Sequence, residues 1–220
     1  MTKTAEQKPV TYAFIDSQNL NLGVRNDVVN KHGKMVYQGQ KLNYRRFRHY
    51  LREKYGVSQA YIFIGFMPTN NSLYTALQRA GFTLVFKTVA LYTDDDGKEI
   101  PKGNVDTDIV LHAAAIELGN YDRAVFVSGD GDFLSLYEFM QGKGKLLRII
   151  VPNRHRYSRL LNTFRSKLAF VNDVPYLFQK QALKKTRSSG RITSLGQPGH
   201  GDKNIVASNL NNVKDKRGAA

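Results

Sequence analysis

Val127-Ser128-Gly129-Asp130-Gly131-Asp132-Phe133 joins two stretches of opposite periodicity. Before it, Ala124–Val127 is an unbroken apolar run, the mark of a strand buried on both faces. After it, Phe133–Gln141 has helical spacing and stops at Gly142. Gly129 and Gly131 let the backbone turn sharply, so Asp130 and Asp132 both reach the carboxyl end of the strand. The plainer alternative for Asp132 is an N-cap of the helix that follows.

The same pattern occurs near the start of the chain. Tyr12–Ile15 reads as a strand that ends in Asp16, within Phe14-Ile15-Asp16-Ser17-Gln18-Asn19. Between and beyond these two strands, apolar runs alternate with amphipathic stretches. Strands are expected over Ala60–Phe66, Phe82–Leu91 and Leu146–Val151. Helices are expected over Leu42–Lys54, Ser72–Ala80, Val105–Leu118 and Ser158–Phe164. On the first of these, Phe47, Tyr50 and Leu51 point inward and Arg45, Arg48 and Arg52 outward. Asp94-Asp95-Asp96-Gly97 reads as a hairpin turn. The region from Asn21 to Lys41 is weakly patterned, with Asp27–Asn30 loosely helical. This alternation predicts an α/β fold: a mostly parallel central sheet with helices on both faces, three layers in all.

Ligands of open α/β sheets bind beyond the carboxyl ends of the strands. Asp16, Asp130 and Asp132 gather at that edge, where like charges repel and a hard divalent cation is the simplest compensation. Asn19 can orient a carboxylate. A further acidic pair opens the Val105 helix in Lys102-Gly103-Asn104-Val105-Asp106-Thr107-Asp108. Taking Val105, Ile109, Val110, Ala113 and Ile116 as the buried arc, Asp106 falls inside it and Asp108 outside. That makes Asp106 the candidate ligand and Asp108 a supporting residue, with His112 one turn on as a partner for Asp108.

The 220 residues carry 33 Lys+Arg against 18 Asp+Glu, a net charge of +15, which points to a polyanionic partner. Residues 180–220 hold +7 of that charge, have no aromatic side chain and are rich in Ser, Gly and Asn. Such a segment buries too little to offset its ordering entropy, so a disordered basic tail is expected over 179–220. Residues 1–8 read as a flexible arm and 9–178 as the folded domain. With no Cys there is no thiolate site and no Cys nucleophile. No stretch has the length of a membrane span or the pattern of a signal peptide, which makes a cytoplasmic location the default expectation.

Taken together, Phe14-Ile15-Asp16-Ser17-Gln18-Asn19, Lys102-Gly103-Asn104-Val105-Asp106, the Val127–Phe133 segment and Gly142…Gly144-Lys145 resemble the NYN domain family. This is the LabA-like (DUF88) branch of the PIN-like nucleases. The resemblance implies a PIN-like three-layer fold and a metal-dependent ribonuclease using Mg²⁺ or Mn²⁺. It assigns the metal and the catalysis to Asp16, Asp106, Asp130 and Asp132, supported by Asn19 and Ser128. The chain departs from the pattern at His112, where some members carry another acid.

RNA contacts are expected from Arg154, Arg156 and Arg159, which follow the last strand on the acidic edge, and from Lys102. Tyr37, Tyr44 and Tyr157 are candidates to stack unpaired bases. The main rival is an RNA-binding module of the same fold that does not cleave. A phosphatase-like hydrolase with an Asp nucleophile ranks behind both, because Asp16 is followed by Ser17-Gln18-Asn19 and not by an Asp-x-Asp pattern.

Overall fold

The computed structural model describes residues 8–88, 90–93, 99–102 and 105–179. The expected turn at 94–97, Gly103, Asn104, most of the N-terminal arm and the tail from 180 onward lie outside the described residues.

Strand β1 (Thr11–Asp16) leads into helix α1 (Ser17–Arg25) and a small hairpin, β2 (Val28–Val29) and β3 (Met35–Tyr37). Helix α2 (Tyr44–Tyr55), strand β4 (Val57–Gly65), helix α3 (Asn71–Arg79) and strand β5 (Thr83–Lys87) follow. Next come an antiparallel hairpin, β6 (Ala90–Thr93) and β7 (Glu99–Lys102), and helix α4 (Asp106–Leu111). The chain continues through β8 (Arg123–Val127), α5 (Leu134–Gly142), β9 (Leu146–Val151) and β10 (Leu168–Phe170). Six strands form one sheet in the order β10-β9-β8-β1-β4-β5, each parallel to its neighbours.

The sheet is buried on both sides, which is why its strands read as unbroken apolar runs. Ala13, Ile15, Ile62, Val125, Val127 and Ile150 face one core with Leu20 and Val24 of α1, Phe47 and Leu51 of α2 and Leu77 of α3. Phe14, Phe63, Phe126, Ile149 and Val151 face the other, with Ile109 of α4 and Leu136, Tyr137 and Met140 of α5. This is the expected three-layer α/β/α arrangement. The chain builds outward from β1 through β4 to β5, then returns to build β8 and β9 on the other flank. The carboxyl ends of β1 and β8 therefore meet at the topological switch point, where such sheets bind ligands.

Several local expectations need correction. Asp27–Asn30 is not helical; it holds β2, which turns back to β3 through Gly33 at φ +74°. The helix lies earlier, over Ser17–Arg25, and buries only Leu20 and Val24, too few apolar positions to stand out among Gln, Asn and Gly. Arg48 does not point into solvent. Its guanidinium donates to the carbonyls of Gly81 (2.9 Å), Val57 (3.1 Å) and Ser58 (2.7 Å), tying α2 to the start of β4 and the turn after α3. On α4 the buried stripe is Val105, Ile109 and Ala113, while Val110 and Ile116 are 39% and 53% exposed. The helix widens into a π turn over His112–Ile116, with Glu117 N donating to His112 O at 2.8 Å, and the wider turn carries Ile116 off the stripe. Among the described residues no helix is long and apolar enough to cross a membrane.

Candidate active site

Asp16 ends β1 and is 5% exposed. It is also the N-cap of α1, accepting from Asn19 N at 3.0 Å through Oδ1. Ser128 Oγ donates to its Oδ2 at 3.5 Å. Burial pushes the Asp16 carboxyl up to about 6. The charges of Asp106 and Asp130 push the same way, against the backbone bonds from Asn19 and Gln18.

The Ser128–Asp132 turn is tied to that acid. Ser128 Oγ accepts from Asp130 N at 3.2 Å, and Gly129 N donates to Asn19 Oδ1 at 2.8 Å. The two polar residues expected to support the site therefore join the β1 end to the β8 end. Asp130, not Asp132, is the cap here. Its Oδ1 accepts from Asp132 N at 3.0 Å and closes the short turn Gly131–Phe133, which leaves the Asp132 carboxylate exposed. The loop after β9 packs directly on this turn, with Ser158 N donating to Gly129 O at 2.9 Å. A Cβ on Gly131 would meet Ser158 Oγ at 2.3 Å and Ser158 Cβ at 2.9 Å, so only glycine fits without displacing that loop. Gly131→Ala is expected to cost about 1–3 kcal/mol in chemical denaturation, the usual range for overpacking.

Asp106 opens α4 and Asp108 lies two residues further along it. The Asp106, Asp130 and Asp132 side chains each offer a carboxylate oxygen within 4.8 Å of the others. Asp16 stands beside this trio, buried and bonded as above. Asp108 points elsewhere and pairs with Lys87 of β5 at 3.1 Å. The expected Asp108–His112 pair is therefore replaced. The His112 ring packs instead on Phe63 (5.2 Å, edge-on) and Tyr61 (6.1 Å), and its buried Nδ1 has no hydrogen-bond partner among the described residues.

The residues fit a divalent cation. All the donors are hard oxygens, and burial, with the charges of Asp106 and Asp130 adding to it, already disfavours the Asp16 anion. Sequence reasoning missed one further group here. Tyr137 of α5 is fully buried, its hydroxyl has no hydrogen-bond partner among the described residues, and burial, with the charges of Asp16, Asp130 and Asp106 adding to it, raises its pKa. A buried hydroxyl left without a partner costs free energy, which sets this position apart from the rest of the α5 core. Only its place on the apolar arc of α5 was visible in the sequence, and that reads as packing.

Around the acids, the expected RNA contacts differ in their state. Arg154 is engaged, paired with Asp173 and stacked over the Phe170 ring at 4.9 Å. Arg156 and Arg159 are exposed and have no acidic partner among the described residues. Lys102 ends β7, its backbone opposite Ala90. The three tyrosines considered for stacking have structural work. Tyr37 is buried and donates to Val24 O at 2.8 Å, Tyr44 packs edge-on against Phe82, and Tyr157 donates to Asn162 Oδ1 at 2.9 Å and packs on Phe170.

Comparison with known proteins agrees with this geometry. No curated protein matches the chain. A crystal structure of a protein of unknown function from Vibrio parahaemolyticus is similar in fold. Its TM-score is 0.57 at 21% identity, over 77% of this chain and 98% of that one. The NYN domain model matches residues 11–167, a span that contains Asp16, Asp106, Asp130 and Asp132. With its acids at the switch point of a parallel three-layer sheet, the chain belongs to the NYN domain family, within the PIN-like nuclease superfamily.

Proposed function

We propose that the protein is a metal-dependent ribonuclease that hydrolyses RNA phosphodiester bonds at this edge, with Mg²⁺ or Mn²⁺ as its cofactor. The observation that carries this reading is the convergence of Asp106, Asp130 and Asp132 from two separate elements to within 4.8 Å, beside the buried Asp16. Asp106, Asp130 and Asp132 would hold the ion, with Asp16 behind them. A cation bound there supplies positive charge against the scissile phosphate and acidifies a water that attacks it. The chain's own groups do the positioning. Asn19 and Ser128 fix the two strand ends against each other, and Asp130 holds its own turn closed. Arg156 and Arg159, with the basic tail over 179–220, give phosphate contacts that confer affinity without sequence. Residues 9–178 form the catalytic domain.

The rival reading, a non-cleaving RNA-binding module, draws on His112, which packs as an aromatic ring where an acid would enlarge the site. One assay separates the two. Single- and double-stranded RNA and DNA are incubated with the full chain, with and without Mn²⁺. Metal-dependent cleavage of RNA is expected, and its complete absence favours the binding module. In the same assay Asp106→Ala is expected to lose far more activity than Asp108→Ala, whose side chain is directed to Lys87. Equal losses would place Asp108 in the site.

A further inference from the structure

Three of the chain's twelve phenylalanines are strongly exposed: Phe66 (46%), Phe86 (45%) and Phe139. Phe139 lies on α5 under the Lys143 ammonium, 5.5 Å from its ring centre. Phe66 and Phe86 lie together, and they lie at the carboxyl edge of the sheet. Gly65 pairs with Lys87, and Phe66 N donates to Lys87 O at 2.9 Å, just past the level where Asp16 pairs with Phe63. The two rings are 5.6 Å apart and cross at 89°, so they form a corner with two differently directed faces. Tyr74 backs both, edge-on to Phe86 at 4.9 Å and stacked behind Phe66 at 6.0 Å. Its hydroxyl accepts from Met67 N at 2.7 Å, which fixes the corner in place. Lys87, next to Phe86, reaches across to Asp108 on the first turn of α4 and so ties this end of β5 to the helix that carries Asp106.

We propose that Phe66 and Phe86 form a base-stacking subsite, and that the substrate crossing this edge is single-stranded RNA. The proposal rests on the ribonuclease reading above and names its substrate class. Every base has a π face that can lie on an aromatic ring, but a base inside a duplex is already stacked on both sides. Phe66 directly follows β4, one strand spacing from β1, and Phe86 lies on β5, two spacings or about 10 Å away, so a strand held at the acids has to run only a short way along the edge to reach them. The carboxyl edge that the rings share with the acids and the chain's net charge of +15 favour a nucleic acid over a protein as the occupant.

The test uses the full chain in chelator, so that binding is read without cleavage. The probes are a fluorescein-labelled single-stranded oligonucleotide RNA, the same sequence as a duplex, and a version carrying 2-aminopurine. The double variant Phe66→Leu/Phe86→Leu keeps apolar bulk and removes the ring faces. It is expected to weaken single-strand binding by roughly 10-fold or more, leave duplex binding unchanged and abolish 2-aminopurine quenching. Phe86→Trp is expected to retain both affinity and quenching. Unchanged single-strand affinity or unchanged quenching in the Leu variant overturns the proposal. So does a wild-type oligomer that the Leu variant converts to monomer, which would assign the rings to an interface between copies. If stacking is lost as expected while wild-type protein with Mn²⁺ cleaves no RNA, the subsite stands and the nuclease reading falls. Cleavage by a protein that quenches no 2-aminopurine keeps the nuclease and removes the subsite.

Discussion

With Mg²⁺ or Mn²⁺ present, Asp106→Asn and Asp130→Asn should each reduce RNA cleavage by at least about 10³-fold, the scale of losing a group that organises transition-state charge. The two acids come from different elements, α4 and the turn after β8, so the two losses have no shared local cause. Asparagine at 130 keeps an oxygen that can accept from Asp132 N, so the turn remains capped and lost capping does not explain the effect. Circular dichroism of both variants should match the wild type. Glu138→Gln, a change to an exposed acid on α5, should leave cleavage intact and serves as the charge control. Undiminished turnover in either carboxamide variant would remove that residue from the catalytic set.

The second large effect concerns stability and has the opposite sign. In chelator at neutral pH, Asp16→Asn should be more stable than the wild type. The Asp16 carboxyl titrates near 3.8 when unfolded and near 6 when folded, because burial and the charges of Asp106 and Asp130 disfavour its anion. The folded state thus holds the proton more tightly. Below about pH 4 both states are protonated and the group costs nothing. As the pH rises from about 4 to about 6 the wild type loses stability, and above that the full penalty applies. A shift of this size corresponds to about 3 kcal/mol, an upper figure for the gain in the variant, or roughly 6–12 °C in melting temperature for a domain of this size. The gain should vanish near about pH 4. Adding Mn²⁺ should then raise the wild type more than the variant, because a ligand that binds only the folded state stabilises it. Equal melting temperatures across about pH 4 to 8 without metal would mean that Asp16 is not under electrostatic stress.

Periodicity revealed the sheet because its strands are buried on both faces, and Ala124–Val127 is an apolar run with no polar interruption. The strand-end acids were legible from their co-location: one carboxylate after a strand reads as a helix cap, which Asp16 and Asp130 also are, but two strands that deliver acids to the same edge point to a site. Other features depend on contacts between distant segments. Helix α1 is held by two apolar side chains and by the Asp16 cap, so its pattern resembles a loop. Arg48 looks like one of three outward cations until Gly81, Val57 and Ser58 present their carbonyls to it. The π turn at His112–Ile116 changes the helical phase that the wheel assumed to be constant, which is why Ile116 was misplaced. Asp106 precedes that turn, so its phase on the helix is unaffected. The pairing of Asp108 with Lys87 joins residues 21 apart on different elements, and no local spacing encodes it.

The central position of β1 has a consequence for biosynthesis. β1 leaves the ribosome before the other strands of its sheet, but its neighbour β8 and the Ser128 hydroxyl that bonds Asp16 come much later, the hydroxyl 112 residues further along. Domains assemble from the N-terminus during synthesis, so β1 can pair with β4 while its other edge stays open. An open strand edge is a template for foreign strands, and a chain released before β8 would expose it permanently. The fragment would also lack the Asp130 and Asp132 carboxylates, so premature termination should yield an aggregation-prone product with an incomplete acidic site. Only a chain that has closed the sheet from both sides can hold all four acids together.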